Sequence, residues 1–150
     1  YLTHDHGFCA RMDPWDRIPG GEPMHAAAVV WGQVLSVPEP GLVLCGVGRR
    51  DVSYDIDLPT ALWLRTLDEN GGLRPAHDLA GARVTGLNDQ HLYLTVDPAP
   101  AGSAPVTTQI RPGDVVGFGI SHPCTLFSTW RVAAVVSDDD QVVDLVGTEF

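Results

Sequence analysis

Arg83-Val84-Thr85-Gly86-Leu87-Asn88-Asp89-Gln90-His91-Leu92-Tyr93-Leu94-Thr95-Val96 alternates apolar and polar side chains over its second half. Leu92, Leu94 and Val96 fall on one face of an extended chain, and His91, Tyr93 and Thr95 on the other. That two-residue period is the pattern of a half-buried β-strand. Arg83 to Leu87 reads as its hairpin partner, with Asn88-Asp89-Gln90 as the turn between them.

Working outward, the same grammar repeats. Ala26 to Val37 is apolar and β-branched and predicts one long strand, or two separated at Gly32, stopped by Pro38 and Pro40. After the turn Glu39-Pro40-Gly41, Leu42 to Val47 reads as its antiparallel partner, with Cys45 as a packed core thiol. Leu62 to Leu67 predicts another strand, ending in the turn Asp68 to Gly72. The stretch from Met12 to Pro23 reads as a loop pinned by Trp15, and Asp97 to Pro105 as a surface loop. Arg111-Pro112-Gly113-Asp114 is a turn signal ahead of a strand, Val115 to Ile120, where Gly117 and Gly119 suggest bending or close backbone approach. Leu126 to Trp130 predicts a short helical turn. Arg131 to Val136 and Val142 to Val146 predict a last hairpin around Asp138-Asp139-Asp140, which reads as a solvated turn and not a metal site. Eight to ten short strands with little amphipathic helix predict an all-β domain, a barrel or sandwich-like fold.

Composition narrows the function. The 150 residues suit one domain with a true core. A formal charge of −10 argues against nucleic acid and anionic membrane partners, which call for a basic surface. No apolar run is long enough to span a bilayer as a helix. Cys9, Cys45 and Cys124 are odd in number and widely separated, which points to a reducing, cytoplasmic setting. All nine basic residues are arginine, so no lysine Schiff base can be completed within these residues. The first residue is Tyr1, not methionine, and the chain is expected to be a piece of a longer protein.

Chemistry-bearing residues concentrate in Gly119-Ile120-Ser121-His122-Pro123-Cys124-Thr125. If this segment is extended, His122 and Cys124 project to one face, and Pro123 biases His122 toward that conformation and keeps the segment out of a helix. Imidazole and thiolate suit zinc better than magnesium or calcium. Two ligands suit an open site rather than a closed structural one. The competing reading is a buried thiol beside an ordinary histidine. His4 and His6 repeat the spacing, either as a second ligand pair or as solvated residues at a flexible end. Gly48 to Pro59, dense in arginine and aspartate after a buried strand, reads equally as a functional loop or a solvated turn with local ion pairs.

Several of these segments together resemble one family. Gly113 to Thr125, with His122-Pro123-Cys124 at its heart, is similar to the C-terminal signature of the D-serine dehydratase-like domain. This domain completes the fold-type III pyridoxal-phosphate enzymes, among them D-serine dehydratase, D-threonine aldolase and bacterial amino acid deaminases. Gly48-Arg49-Arg50-Asp51-Val52-Ser53-Tyr54-Asp55 with Leu58-Pro59 resembles the family's glycine-basic-basic-aspartate loop. Leu87-Asn88-Asp89-Gln90-His91 resembles its leucine-x-acidic-acidic-histidine block, with Gln90 a departure. Tyr1 to Gly7 is similar to the segment leading in from the barrel.

The resemblance implies that residues 1–150 form the C-terminal β domain of a two-domain enzyme, a barrel-like fold as in alanine racemase-like enzymes. The N-terminal barrel would carry pyridoxal phosphate and its lysine. It implies zinc, or another divalent metal, on His122 and Cys124. Cysteine at the second ligand position points to the dehydratase and deaminase branch, aspartate being the aldolase form. The implied reaction is elimination from a β-hydroxy D-amino acid such as D-serine to a 2-oxo acid and ammonia. The metal would assist departure of the hydroxyl, with the full-length protein a homodimer and the fragment alone inactive. Tyr1, His6, Arg50, Asp51 and Tyr54 are candidates to line the substrate side, and His91 is either supporting or structural. The alternatives are a D-threonine aldolase-type retro-aldol lyase, or a non-catalytic β module whose metal site is closed by residues such as His4, His6 or Cys9.

Overall fold

Alternation and β-branching produce nine strands in the computed structural model, which describes residues 5–7, 11–12, 18–22, 25–97 and 110–149. They are β1 (Val29–Glu39), β2 (Leu42–Cys45), β3 (Thr60–Arg65), β4 (His77–Asp78), β5 (Ala82–Leu87), β6 (Leu92–Val96), β7 (Val115–Gly119), β8 (Val132–Val136) and β9 (Val142–Gly147). A short helix, α1 (Pro123–Thr129), separates β7 from β8. Seven strands form one antiparallel sheet in the order β4-β3-β7-β1-β2-β6-β5, and β8 pairs with β9 apart from it. Strand β3 near one edge approaches β5 at the other, so the sheet curls into a half-barrel. The mainly-β expectation holds.

The core lies inside that curl. Leu92, Leu94 and Val96 all point inward, as the alternation requires, and Val34, Val43, Cys45, Leu64, Val116, Phe118 and Ile120 meet them there. Phe118 is fully buried, and a phenylalanine so placed contributes about 1.5–3 kcal/mol of hydrophobic stabilisation. Burial pushes the Cys45 thiol up to about 12, the behaviour of a packed core thiol.

Strand β1 differs from its predicted form at the end. It does not stop at Pro38 but runs through it to Glu39. The ladder with β2 shifts register between Ser36 and Glu39, so the proline sits at an irregularity where no ladder donor is required. At the other end of β1, Trp31 and Trp63 are both in register with Gly117 on the strand between them. A Cβ on Gly117 would lie 3.0 Å from the Trp31 ring, and without one the two indoles stack with centroids 6.1 Å apart. Arg65 lies over Trp31 at 5.0 Å and pairs with Asp140 in the β8–β9 turn.

Before β7, Gly113 takes a φ of +99° in the predicted turn. Buried Asp114 closes that turn by accepting from the amides of Arg111 at 2.7 Å and Leu67 at 2.9 Å. This fixes where β7 begins, and so where it delivers His122.

Candidate functional site

Beyond β7 the chain does not stay extended, which corrects the expected geometry of the His-Pro-Cys stretch. His122 is extended, with φ −150° and ψ 103°, but Pro123 opens α1 and Cys124 lies in its first turn. Proline lacks the amide hydrogen that a first helical residue cannot use, and its fixed φ suits that position, so it starts this helix instead of preventing one. The helix therefore also begins earlier than the predicted turn at Leu126. Cys124 is exposed and His122 is partly buried.

The His122 imidazole is held by a residue far away in sequence. Nδ1 of His122 is 2.6 Å from a carboxylate oxygen of Asp55. Partial burial pushes the Asp55 carboxyl upward. The hydrogen bond from His122, the loop's own amide, the imidazole charge and Thr125 outweigh that and hold it below its ordinary value. An ionised carboxylate only accepts, so Nδ1 carries the hydrogen. Asp55's other oxygen lies 3.5 Å from the Thr125 hydroxyl, and the His122 amide donates to Ser53 Oγ at 3.3 Å.

The loop that carries Asp55 is itself clamped. The Arg49 amide donates to the Asn88 carbonyl at 2.9 Å and the Arg50 amide to that of Asp89 at 3.2 Å. A Cβ on Gly48 would fall 2.3 Å from the Asp89 carbonyl oxygen, so only glycine permits this approach. Two sequence blocks that stand some forty residues apart thus meet in space. The Asp51 carboxylate accepts from the Gly48 amide at 2.8 Å and is committed to closing its own loop. Arg50 is exposed and sits 3.9 Å from Asp89, and Tyr54 is half exposed beneath the Arg49 guanidinium. His91 lines a shallow open pocket of about 360 Å³ with Arg49, Asn88, Asp89 and Gln90.

His6 lies against the end of β7. Its amide donates to the Ile120 carbonyl at 2.9 Å, and its ring occupies the space a Cβ on Gly119 would fill, 2.5 Å away. The close approach expected at both β7 glycines is therefore real: Gly117 makes room for Trp31 and Gly119 for His6. Tyr1, His4, Cys9 and Trp15 lie outside the described residues.

Among the described residues, no three His, Cys, Asp or Glu side chains are grouped closely enough to hold a metal ion. In donor type, imidazole and thiol nevertheless suit an open zinc site. With Nδ1 engaged by Asp55, His122 has Nε2 left for a ligand, and exposed Cys124 stands two residues on. Pyridoxal phosphate does not fit these residues as a Schiff-base partner, since no lysine is present. Sequence reasoning missed Asp55 as a functional residue. Its single cue was membership of an aspartate-rich loop, and nothing in its spacing points to a histidine 67 residues later.

No curated protein matches the chain. A family model described as "Putative serine dehydratase domain" matches residues 27–136. The match takes in the Gly48 loop, Asp55, the Asn88 turn, His122 and Cys124, and leaves out the segment with His6. Covering more than half of the sequence and every loop that converges on His122, it makes this chain a member of the serine dehydratase domain family.

Proposed function

We propose that this chain is the metal-bearing C-terminal domain of a pyridoxal-phosphate-dependent deaminase that eliminates water from a β-hydroxy D-amino acid such as D-serine, the dehydrated product then taking up water to give a 2-oxo acid and ammonia. The observation that carries the reading is the pairing of His122 Nδ1 with Asp55 at 2.6 Å beside an exposed Cys124. A carboxylate on one ring nitrogen leaves the other for a metal, the arrangement in which metal-ligating histidines are usually held. Cysteine at the second position favours dehydration over the aldolase reaction, by resemblance.

On this reading, His122 Nε2 and the Cys124 sulfur hold a divalent metal, zinc suiting that pair best. The metal supplies Lewis-acid assistance to departure of the β-hydroxyl. Asp55 orients the imidazole, and Ser53 fixes the main chain at His122. Arg50 and Tyr54, exposed on the loop that carries Asp55, are the residues proposed to meet substrate, with Asp51 shaping the loop. The cofactor and its lysine come from an N-terminal barrel of the same protein, a source consistent with the all-arginine composition here. The full-length enzyme is a homodimer.

The test uses the full-length protein, comparing zinc content and pyruvate release from D-serine in wild type, His122→Ala and Cys124→Ala. We expect near-stoichiometric zinc in wild type, and loss of zinc and activity together in both variants while cofactor absorbance persists. Activity that survives both substitutions removes the metal mechanism. The 150-residue chain alone should release no pyruvate, and turnover by it overturns the assignment of the lysine to another domain.

A further inference from the structure

We infer that Asp55 is a positioning residue that selects Nε2 of His122 as the metal-binding nitrogen and ties both ligand-bearing positions to the β2–β3 loop. The inference rests on the metal reading above. A neutral imidazole has one hydrogen and one lone pair, and the two nitrogens compete for them. An acceptor-only carboxylate 2.6 Å from Nδ1 settles that competition, placing the hydrogen on Nδ1 and the lone pair on Nε2. The same contact lends the imidazole electron density, which strengthens its bond to a cation.

The second oxygen of Asp55 extends the argument to Cys124. It lies 3.5 Å from the hydroxyl of Thr125, the residue after Cys124 in the first turn of α1. That hydroxyl also contacts the His122 carbonyl at 3.3 Å. One carboxylate thus faces the imidazole with one oxygen and the cysteine-bearing turn with the other. The main chain repeats the link, because Ser53, two residues before Asp55, accepts the His122 amide. A surface ion pair of ordinary kind contributes little and serves nothing beyond itself. This one joins two loops 67 residues apart at the first of the two proposed ligands.

The experiment measures zinc affinity of the full-length protein by competition with a chromophoric chelator, for wild type, Asp55→Ala, Asp55→Asn, His122→Ala and Cys124→Ala. In parallel, the His122 tautomer is read from imidazole ¹⁵N shifts in zinc-free wild type and Asp55 variants. We expect Asp55→Ala to weaken zinc binding by about 10–100-fold. Asp55→Asn, which keeps an acceptor oxygen, should fall between it and wild type. The Nδ1–H form should predominate in wild type and lose its preference in Asp55→Ala. Zinc affinity unchanged in Asp55→Ala but lost in His122→Ala and Cys124→Ala overturns the positioning role and leaves the metal site standing. Affinity unchanged in His122→Ala and Cys124→Ala overturns the metal reading, and the role given to Asp55 toward zinc falls with it. An Nε2–H tautomer in wild type overturns the selection of Nε2 whatever the metal result.

Discussion

Trp130 donates its indole N–H to the main-chain carbonyl of Asp51 at 2.7 Å, across 79 residues of sequence. The bond ties the end of α1 to the Gly48 loop. With the Asp55–His122 contact it gives that loop two anchors on the segment that follows β7. Trp130→Phe keeps most of the ring and removes the donor. We expect a loss of about 0.5–1.5 kcal/mol in urea unfolding, toward the low end because the indole is 43% exposed and water can reach the carbonyl. An unchanged midpoint would show that the loop is held without this bond.

Gly48→Ala tests the clasp between the two loops. The added methyl meets main-chain atoms of Asp89 and Gln90 at 2.3–2.4 Å, and main chain cannot rotate aside as a side chain can. Forced overpacking of this kind costs about 1–3 kcal/mol. Faster amide exchange at Arg49 and Arg50 should accompany it, since their hydrogen bonds cross the same contact.

Cys45 gives a prediction in pH. Burial pushes its thiol up from an ordinary 9.0 to about 12 in the folded chain, so folding favours the neutral form. The contribution is complete below pH 9 and declines as pH rises above it, by up to about 1.4 kcal/mol per pH unit. Cys45→Ala should flatten the stability profile between pH 9 and 11. Thiol reagents at pH 8 should label exposed Cys124 in the native protein and reach Cys45 only on unfolding.

The β8–β9 hairpin predicts association. Val143 and Leu145 share one face of β9 and are 62% and 64% exposed, with Val132, Val136 and Val142 also open. An apolar two-stranded ribbon outside the main sheet has little cover of its own. The 150-residue chain should sediment as concentration-dependent oligomers. Val143→Ser with Leu145→Ser should shift it toward monomer, with stability changed by no more than about 0.5 kcal/mol each because both sites are exposed. A monomeric wild-type profile at high concentration counts against this.

What the sequence made legible was local. The alternation in β6, the Gly113 turn and the core thiol at Cys45 each depend on residues within one turn or strand, and each stands where the pattern put it. The β7 glycines announced close approach but not what approaches, since Trp31 and His6 arrive from elsewhere in the chain. Pro123 misled because proline both breaks a helix and begins one, and only the residues after it decide. The apolar pattern of β8 and β9 looks like that of buried strands, yet those strands lie apart from the core, because hydropathy records what a strand can bury and not what it meets. Asp55 carried no signal toward His122, and a contact made by two loops has no period to reveal it.

Strand β7 has a consequence for the order in which the molecule is built. Among the described strands, it is the one hydrogen-bonded both to β3 of the β3–β4 pair and to β1 of the β1-β2-β6-β5 ladder, yet it is made after all six. A chain leaving the ribosome therefore holds two separate ladders, each with an open edge, until about residue 119 has emerged. Pairings of such long sequence separation form slowly, and open edges invite pairing with other chains. Synthesis that stalls before β7 should leave a product that aggregates, whereas a stop just after it should leave the sheet joined. The residues that close the sheet are followed at once by His122 and Cys124, so the proposed ligands take their places only once the seven-stranded sheet is joined.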